Sequence, residues 1–163
     1  MHEGNANANG ERMILQRFAP LHLVSTTAKG RGVFAGRAIS SGTIIDTCPV
    51  LVLDARENGE HIEKTSLYHY TYNWPAPHGG KTQAVVFGLG SMFNHSTQHQ
   101  NVGWLRDVGN QLVVYQALRD IAEGEELCIS YGDHLTFEDA DKLESVDCLA
   151  ESAESVLGRI QLV

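Results

Sequence analysis

The residues best suited to chemistry in this 163-residue chain lie in two short strings and one turn. Ser91-Met92-Phe93-Asn94-His95-Ser96 is followed downstream by Glu126-Leu127-Cys128-Ile129-Ser130-Tyr131-Gly132, and a basic, glycine-rich turn, Lys29-Gly30-Arg31-Gly32-Val33-Phe34, stands far upstream of both. Asn94 closes an apolar stretch (Val85, Val86, Phe87, Leu89, Met92, Phe93), which predicts an amide at the core edge, where polar groups need partners. A carboxamide offers two donors and an acceptor, which suits an amino-acid ligand. Tyr131 ends an extended run before a glycine, and by itself it reads as a packed aromatic as readily as a catalytic hydroxyl. Gly30 and Gly32 lack Cβ atoms, so a ligand could approach the backbone closely there, although a plain β-turn explains them equally well.

Two other chemistries can be set aside. Gly30-Arg31-Gly32 with Gly36 imitates a dinucleotide fingerprint, but such a unit needs a crossover helix after the glycines, and Gly36, Ser40, Ser41 and Gly42 leave no room for one. His95, His99 and Cys128 lack a recognised ligand spacing and a fourth partner, so no metal site is expected.

The elements that must position these strings are mostly strands. Extended signals edged by Gly, Asn, Ser or Pro run over Leu21–Val24, Gly32–Ala38, Thr43–Leu53, Gln83–Phe87, Val102–Arg106, Gln111–Ala117 and Glu126–Ile129. Val108-Gly109-Asn110-Gln111 reads as a tight hairpin turn, with Gly and Asn tolerating positive φ. A faint internal echo sets Ile39-Ser40-Ser41-Gly42 against Ile121-Ala122-Glu123-Gly124, each a turn that feeds a strand. Gly59 to Tyr72 is the expected internal helix, with a Pro- and Gly-containing loop from Trp74 to Gly80. After Tyr131, Thr136 and Asp139 resemble a capping box that opens a carboxy-terminal helix. Leu143, Val146, Ala150, Ala153, Leu157 and Ile160 then form a narrow apolar stripe, which predicts a homodimer, with a helix laid on its own domain as the alternative.

Composition narrows the classes. With 42% hydrophobic residues and no apolar run long enough to span a bilayer, one soluble domain and no membrane role are expected. Met1 to Gly10 has no apolar core of a signal peptide and reads as a flexible arm. Cys48, Cys128 and Cys148 are isolated and odd in number, which argues against a disulfide framework and for a reducing compartment. A net charge of -8 without a run of Lys or Arg argues against direct nucleic-acid binding. The acidity suits a basic substrate, and it equally serves solubility.

Taken in order, the glycine-rich turn, the Asn-His-Ser string and the Glu-Leu-x-x-x-Tyr-Gly string resemble the SET-domain protein lysine methyltransferases. The likeness covers Leu21 to His134 and is nearest the short, stand-alone viral and fungal type without cysteine-rich flanks. It implies a mainly β, α+β fold of small sheets, with the carboxy-terminal segment threaded pseudoknot-like beneath an earlier loop, and a carboxy-terminal helix. It also implies a division into an arm (1–15), a SET domain (16–134) and a carboxy-terminal helical segment (135–163). S-adenosylmethionine would be the cofactor, leaving as S-adenosylhomocysteine, with no metal. By this resemblance the cofactor is held by Lys29, Gly30, Arg31, Gly32, Phe34, Asn94, His95 and Tyr131; Asn94 meets its amino group and the backbone at His95 its adenine. Tyr131 is the catalytic residue, and Tyr70, then Tyr68, with Phe93 line the lysine channel. One departure stands out: many relatives continue Asn-His-Ser with Cys-x-Pro-Asn, whereas Thr97-Gln98-His99-Gln100-Asn101 follows here. The missing cysteine matches the missing zinc-binding tail.

The chemistry so implied is methyl transfer from sulfonium to a lysine amine. The leaving group is already good, so the protein's tasks are to align nitrogen, carbon and sulfur and to deliver a neutral amine. A lysine of ordinary pKa near ~10.4 is mostly charged at neutral pH, and an apolar channel beside a sulfonium lowers that value. No general base stands out, which leaves Tyr131 to orient the amine and cofactor. The resemblance implies a basic histone-tail substrate, histone three first, and nuclear action with the cytoplasm as a second compartment. A SET-fold peptide-binding module without catalysis, or a methyltransferase of a non-histone protein, are the alternatives.

Overall fold

The structure, a computed structural model, describes residues 13, 15–27, 29–76 and 79–131. In chain order the described strands are β1 (Leu21–Thr27), β2 (Gly30–Ala35), β3 (Ile44–Val52), β4 (Thr71–Pro75), β5 (Lys81–Val86), β6 (Asn94–His95), β7 (Val102–Asp107), β8 (Leu112–Ala117) and β9 (Cys128–Ile129), with one α-helix, α1 (Ala55–Glu60). The fold is thus mainly β, as expected. The expected carboxy-terminal helix, its apolar stripe from Leu143 to Ile160, Gly132 and most of the amino-terminal arm lie outside the described residues.

Alternation of apolar side chains builds the central layer. Val113, Tyr115 and Ala117 of β8 are at most 2% exposed, with half-buried Val114 and Gln116 between them. The main sheet runs β4-β5-β3-β8-β7, antiparallel throughout, with Cys48 opposite Val113 and Trp104 opposite Tyr115. Val33 from β2, Ile45 and Cys48 from β3, and Phe93, Leu127 and Ile129 join this core. Each such side chain contributes roughly 1.5–3 kcal/mol by leaving water. Phe93 meets Tyr115 edge-on, with ring centroids 5.0 Å apart. Only glycine fits at position 90, because a Cβ on Gly90 would run into the Tyr115 ring.

The smallest sheet matters most for function. β6 and β9 pair in parallel, Asn94 beside Cys128 and His95 beside Ile129, so the two strings of the sequence lie side by side. The carboxy-terminal segment is tied to three earlier parts of the chain. Leu127 N–H donates to the Val33 carbonyl at 2.7 Å, Trp104 Nε1 to the Ser130 carbonyl at 3.3 Å, and Asn101 clips it from the side. Asn101, 1% exposed, donates Nδ2 to the Glu126 carbonyl (2.7 Å) and to Glu125 Oε1 (2.9 Å), while its Oδ1 accepts the Cys128 N–H (2.8 Å). The two echo segments also meet: Ile39 and Ile121 exchange N–H···O bonds of 2.9 Å, and Gly42 and Gly124 share φ +79.

Several sequence expectations need correction. The helix expected over Gly59 to Tyr72 is instead α1, one turn earlier, followed by 3-10 turns at Ile62–Lys64 and Ser66–Tyr70, with Tyr72 already in β4. Asp54 starts α1 by accepting the N–H groups of Arg56 (2.9 Å) and Glu57 (3.1 Å) through Oδ1, and Gly59 in its last turn disfavours extension. The hairpin turn at Val108–Gln111 is present, but positive φ falls on Gln111 (54) and not on Gly109 or Asn110. Asp107 braces that turn through bonds to the Asn110 N–H (3.0 Å) and Nδ2 (2.8 Å). β2 begins at Gly30 and stops at Ala35, short of the expected Ala38, because the chain bends at Gly36 and Arg37. Glu126 makes only an isolated bridge, to Phe34, so β9 is shorter than the expected Glu126–Ile129 strand.

Candidate active site

Two cavities meet at Tyr131. One, of about 370 Å³, is lined by Ser25, Lys29, Gly30, Arg31, Met92 and Asn94; the other, of about 480 Å³, by Thr71, Tyr72, Asn73, Trp104, Arg106 and Ser130. His69, Tyr70, Ser91 and Tyr131 line both and form the wall between them. A reaction that joins two different molecules needs this arrangement, since it brings both to one reacting centre.

The first cavity is built by the glycine-rich turn against β6. Gly30 has φ +87, a conformation that glycine adopts without strain, and no heavy atom lies within 4 Å of where its Cβ would stand. The Thr27 hydroxyl tightens the turn, donating to the Gly30 carbonyl at 2.7 Å and accepting the Lys29 N–H at 3.1 Å. Lys29 Nζ donates to the His95 carbonyl at 3.1 Å, which ties the turn to β6. Gly32 has a different reason from the one its sequence context implied. The space beside it is filled by the chain itself, because a Cβ there would collide with Glu126 Oε1. Asn94 is half-buried, and its Nδ2 donates to the Arg31 carbonyl (3.0 Å) and to Glu126 Oε1 (2.7 Å).

Tyr131 is held from two sides. Its N–H donates to His95 Nδ1 at 3.1 Å, and its hydroxyl donates to the Phe93 carbonyl at 2.7 Å. Because His95 Nδ1 accepts, the ring proton sits on Nε2, which meets Thr97 Oγ1 at 3.1 Å. Burial, with smaller contributions from Cys128 and Tyr70, pushes the Tyr131 phenol up to about 12, so it stays protonated at neutral pH and does not act as a base. The second cavity has an aromatic wall: Tyr72 and Trp104 meet edge-on at 5.2 Å, the Tyr72 hydroxyl donates to the Gly90 carbonyl at 3.0 Å, and the Arg106 guanidinium stacks 4.9 Å from the Trp104 ring. Burial raises the Tyr72 phenol as well. Such a wall excludes water from an amine and suits a methylammonium. Among the described residues that line either cavity there is no Asp or Glu.

Of the residues expected from the sequence, Lys29, Gly30, Arg31, Asn94, Tyr70 and Tyr131 come together at these cavities. His95 stands behind them, 6% exposed, and orients Tyr131. Phe93 offers its carbonyl alone, for its ring is 1% exposed and packed on Tyr115. Phe34, Gly32 and Tyr68 line neither cavity. Sequence reasoning missed Ser91, His69, Trp104 and Arg106, and it gave no role to Glu126 or Asn101. Ser91 lay inside a quoted string, and its position directly before Met92 and Phe93 was the available signal.

The donor set fits S-adenosylmethionine. Lys29 and Arg31 supply positive charge for a carboxylate, Asn94 supplies a carboxamide for an amino group, and the Gly30 turn leaves its surroundings open. When bound, this cofactor supplies an activated methyl group. The SET domain family model matches residues 30–132. A curated relative from Schizosaccharomyces pombe, named histone-lysine N-methyltransferase, H3 lysine-37 specific, is 49% identical over 121 residues, which are 74% of this chain and 79% of the relative. Among solved structures, a candidate histone methyltransferase of Plasmodium falciparum superposes with a TM-score of 0.55 at 23% identity, over 73% of this chain and 96% of that one. The CpSET8 protein of Cryptosporidium gives 0.56 at 26% identity, over 72% and 59%. With this match over most of the described residues and with the two strings paired around Tyr131, the chain belongs to the SET-domain family.

Proposed function

We propose that the lysine on which this SET-domain methyltransferase acts belongs to histone H3, with lysine 37 of that histone as the leading position. The observation that carries the reading is the junction of the two cavities at Tyr131, in a chain that shares 49% identity with the Schizosaccharomyces pombe enzyme. The smaller cavity takes S-adenosylmethionine, with Lys29 and Arg31 toward its carboxylate and Asn94 toward its amino group. The larger takes the lysine side chain along Tyr70, Tyr72 and Trp104, where loss of water favours the neutral amine. Its proton passes to solvent or to His69, which lines both cavities. The Tyr131 hydroxyl donates to the Phe93 carbonyl, so toward the amine it acts as an acceptor. A protein that acts on chromatin works in the nucleus.

Incubation with methyl-labelled S-adenosylmethionine and histone H3 should label H3, and H3 with arginine in place of that lysine should lose most of the label. Label that persists on the arginine-substituted histone would move the site, and label confined to extract proteins would make the substrate non-histone. An unlabelled but tightly bound H3 peptide would identify a binding module. A homodimer through the Leu143 to Ile160 stripe is part of the proposal on sequence pattern alone. Sedimentation should show twice 17.9 kDa, weakened by Leu157→Glu, and a monomer throughout the micromolar range would reject it.

A further inference from the structure

The orientation of the Asn94 amide in the cofactor cavity is fixed by chemistry alone. Both of its Nδ2 partners, the Arg31 carbonyl at 3.0 Å and Glu126 Oε1 at 2.7 Å, are acceptors. A carbonyl and a carboxylate have no hydrogen to give, so the nitrogen of Asn94 faces them. Oδ1 must then point the other way on a residue that lines the cavity. Of the two partners, the Arg31 carbonyl belongs to the backbone, whereas Glu126 is a side chain brought from the distant second string.

The surroundings hold Glu126 for this purpose. Its backbone bridges Phe34, its carbonyl accepts Asn101 Nδ2 at 2.7 Å, and the next residue is bonded to Val33. The space its carboxylate occupies exists because residue 32 is glycine: a Cβ there would overlap Glu126 Oε1 and stand 3.0 Å from Asn94 Nδ2. The neighbouring Glu125 is engaged elsewhere, with Arg119 at 2.6 Å and Asn101 at 2.9 Å. The consecutive glutamates Glu125 and Glu126 thus have separate partners, and of the two Glu126 reaches Asn94.

We propose that Glu126, through the gap left by Gly32, is a positioning residue that locks the Asn94 carboxamide so that its Oδ1 accepts from the cofactor's ammonium. The proposal rests on the assignment of the 370 Å³ cavity to S-adenosylmethionine. Without the carboxylate only the Arg31 carbonyl holds the amide, and an amide that turns from it presents its NH2 group to an ammonium, which repels it.

The test is a double-mutant cycle read by calorimetric titration of S-adenosylhomocysteine, with the Asn94 side-chain amide followed by nuclear magnetic resonance in the ligand-free protein. Glu126→Ala should weaken binding about tenfold, and Glu126→Gln, which keeps an acceptor oxygen, by about threefold or less. Gly32→Ala, which displaces the carboxylate, should reproduce the loss of Glu126→Ala. In an Asn94→Ala background Glu126→Ala should add nothing further. The Asn94 amide signal, shifted by its carboxylate bond, should move toward that of an amide bonded to the Arg31 carbonyl alone in Glu126→Ala with the fold intact. Wild-type affinity in Glu126→Ala, losses that multiply in the double variant, or an unmoved amide signal would each overturn the proposal. A wild-type protein that binds no S-adenosylhomocysteine would defeat the cavity assignment and, with it, the acceptor role of Oδ1; the amide signal alone then decides whether Glu126 holds Asn94.

Discussion

Replacing Tyr131 by Phe separates alignment from folding. The hydroxyl donates to the Phe93 carbonyl at 2.7 Å, and the residue is 43% exposed. A single neutral bond contributes about 0.5–1.5 kcal/mol net, so the variant should melt within about 1–6 °C of the wild type. A hundredfold fall in turnover is about 2.7 kcal/mol on the barrier, more than the stability that this bond can supply. Single-turnover rates with labelled S-adenosylmethionine and an H3 peptide, alongside thermal unfolding, measure both quantities on the same protein. The expected result is a turnover lower by at least about a hundredfold with nearly unchanged melting. The pH profile adds a second reading. Burial holds the phenol up to about 12, above its ordinary value near ~10, so it is neutral through the working range. Wild type and variant should therefore show parallel rate profiles between about pH 6 and pH 10. Above pH 10 the unfolded chain loses this proton before the folded one, so the stability that Tyr131 contributes falls as pH rises toward about 12. Turnover within about threefold of wild type, or an alkaline inflection below pH 10 that vanishes in the variant, would refute the alignment role.

Asn94→Ala should weaken S-adenosylhomocysteine binding by about tenfold or more in calorimetry, as a bond to a charged amino group is worth about 1.5–3 kcal/mol; unchanged affinity would contradict the assignment. Glu125 is held down to about 2, first by its bond to Arg119. The stability this gives is present above its ordinary value and is lost as pH falls toward 2, so Glu125→Gln should flatten the acid limb of a denaturation curve between about pH 5 and pH 2. Gly90→Ala forces a methyl into the Tyr115 ring and should destabilise by about 1–3 kcal/mol or more in urea titration. Cys48 is 0% exposed and its thiol is pushed up to about 12, chiefly by burial, so it should resist alkylation at pH 8 until the protein unfolds, as peptide mass spectrometry would show.

What was legible in the sequence divides by distance along the chain. The Asn-His-Ser and Glu-Leu-x-x-x-Tyr strings could be read because each is contiguous, and each delivers its side chains from one short element. The strands could be read because alternation is local, and β8 obeys it from Val113 to Ala117. The expected helix over Gly59 to Tyr72 failed through a competition between signals: Tyr-His-Tyr-Thr-Tyr-Asn-Trp has a strand's period, and only its second half pairs, with β5. Asp54 marked the true helix start, one turn upstream, but a lone Asp is a weak signal.

The part of the site that the sequence hid is the part made by register. The Asn94 amide joins a carbonyl 63 positions before it to a carboxylate 32 positions after it. Glu126 heads the Glu-Leu-x-x-x-Tyr string but nothing in it says what its carboxylate meets, and one residue of slip in the parallel pairing of β6 with β9 would bring Glu125 to Asn94 instead. The same holds for Gly32, which reads as a ligand-facing glycine beside Gly30 until the opposite strand is in place and the room it leaves proves to be taken by Glu126. Register is in turn fixed by Asn101, whose bonds span Glu125, Glu126 and Cys128 together. A residue with no expected role therefore decides which glutamate reaches Asn94.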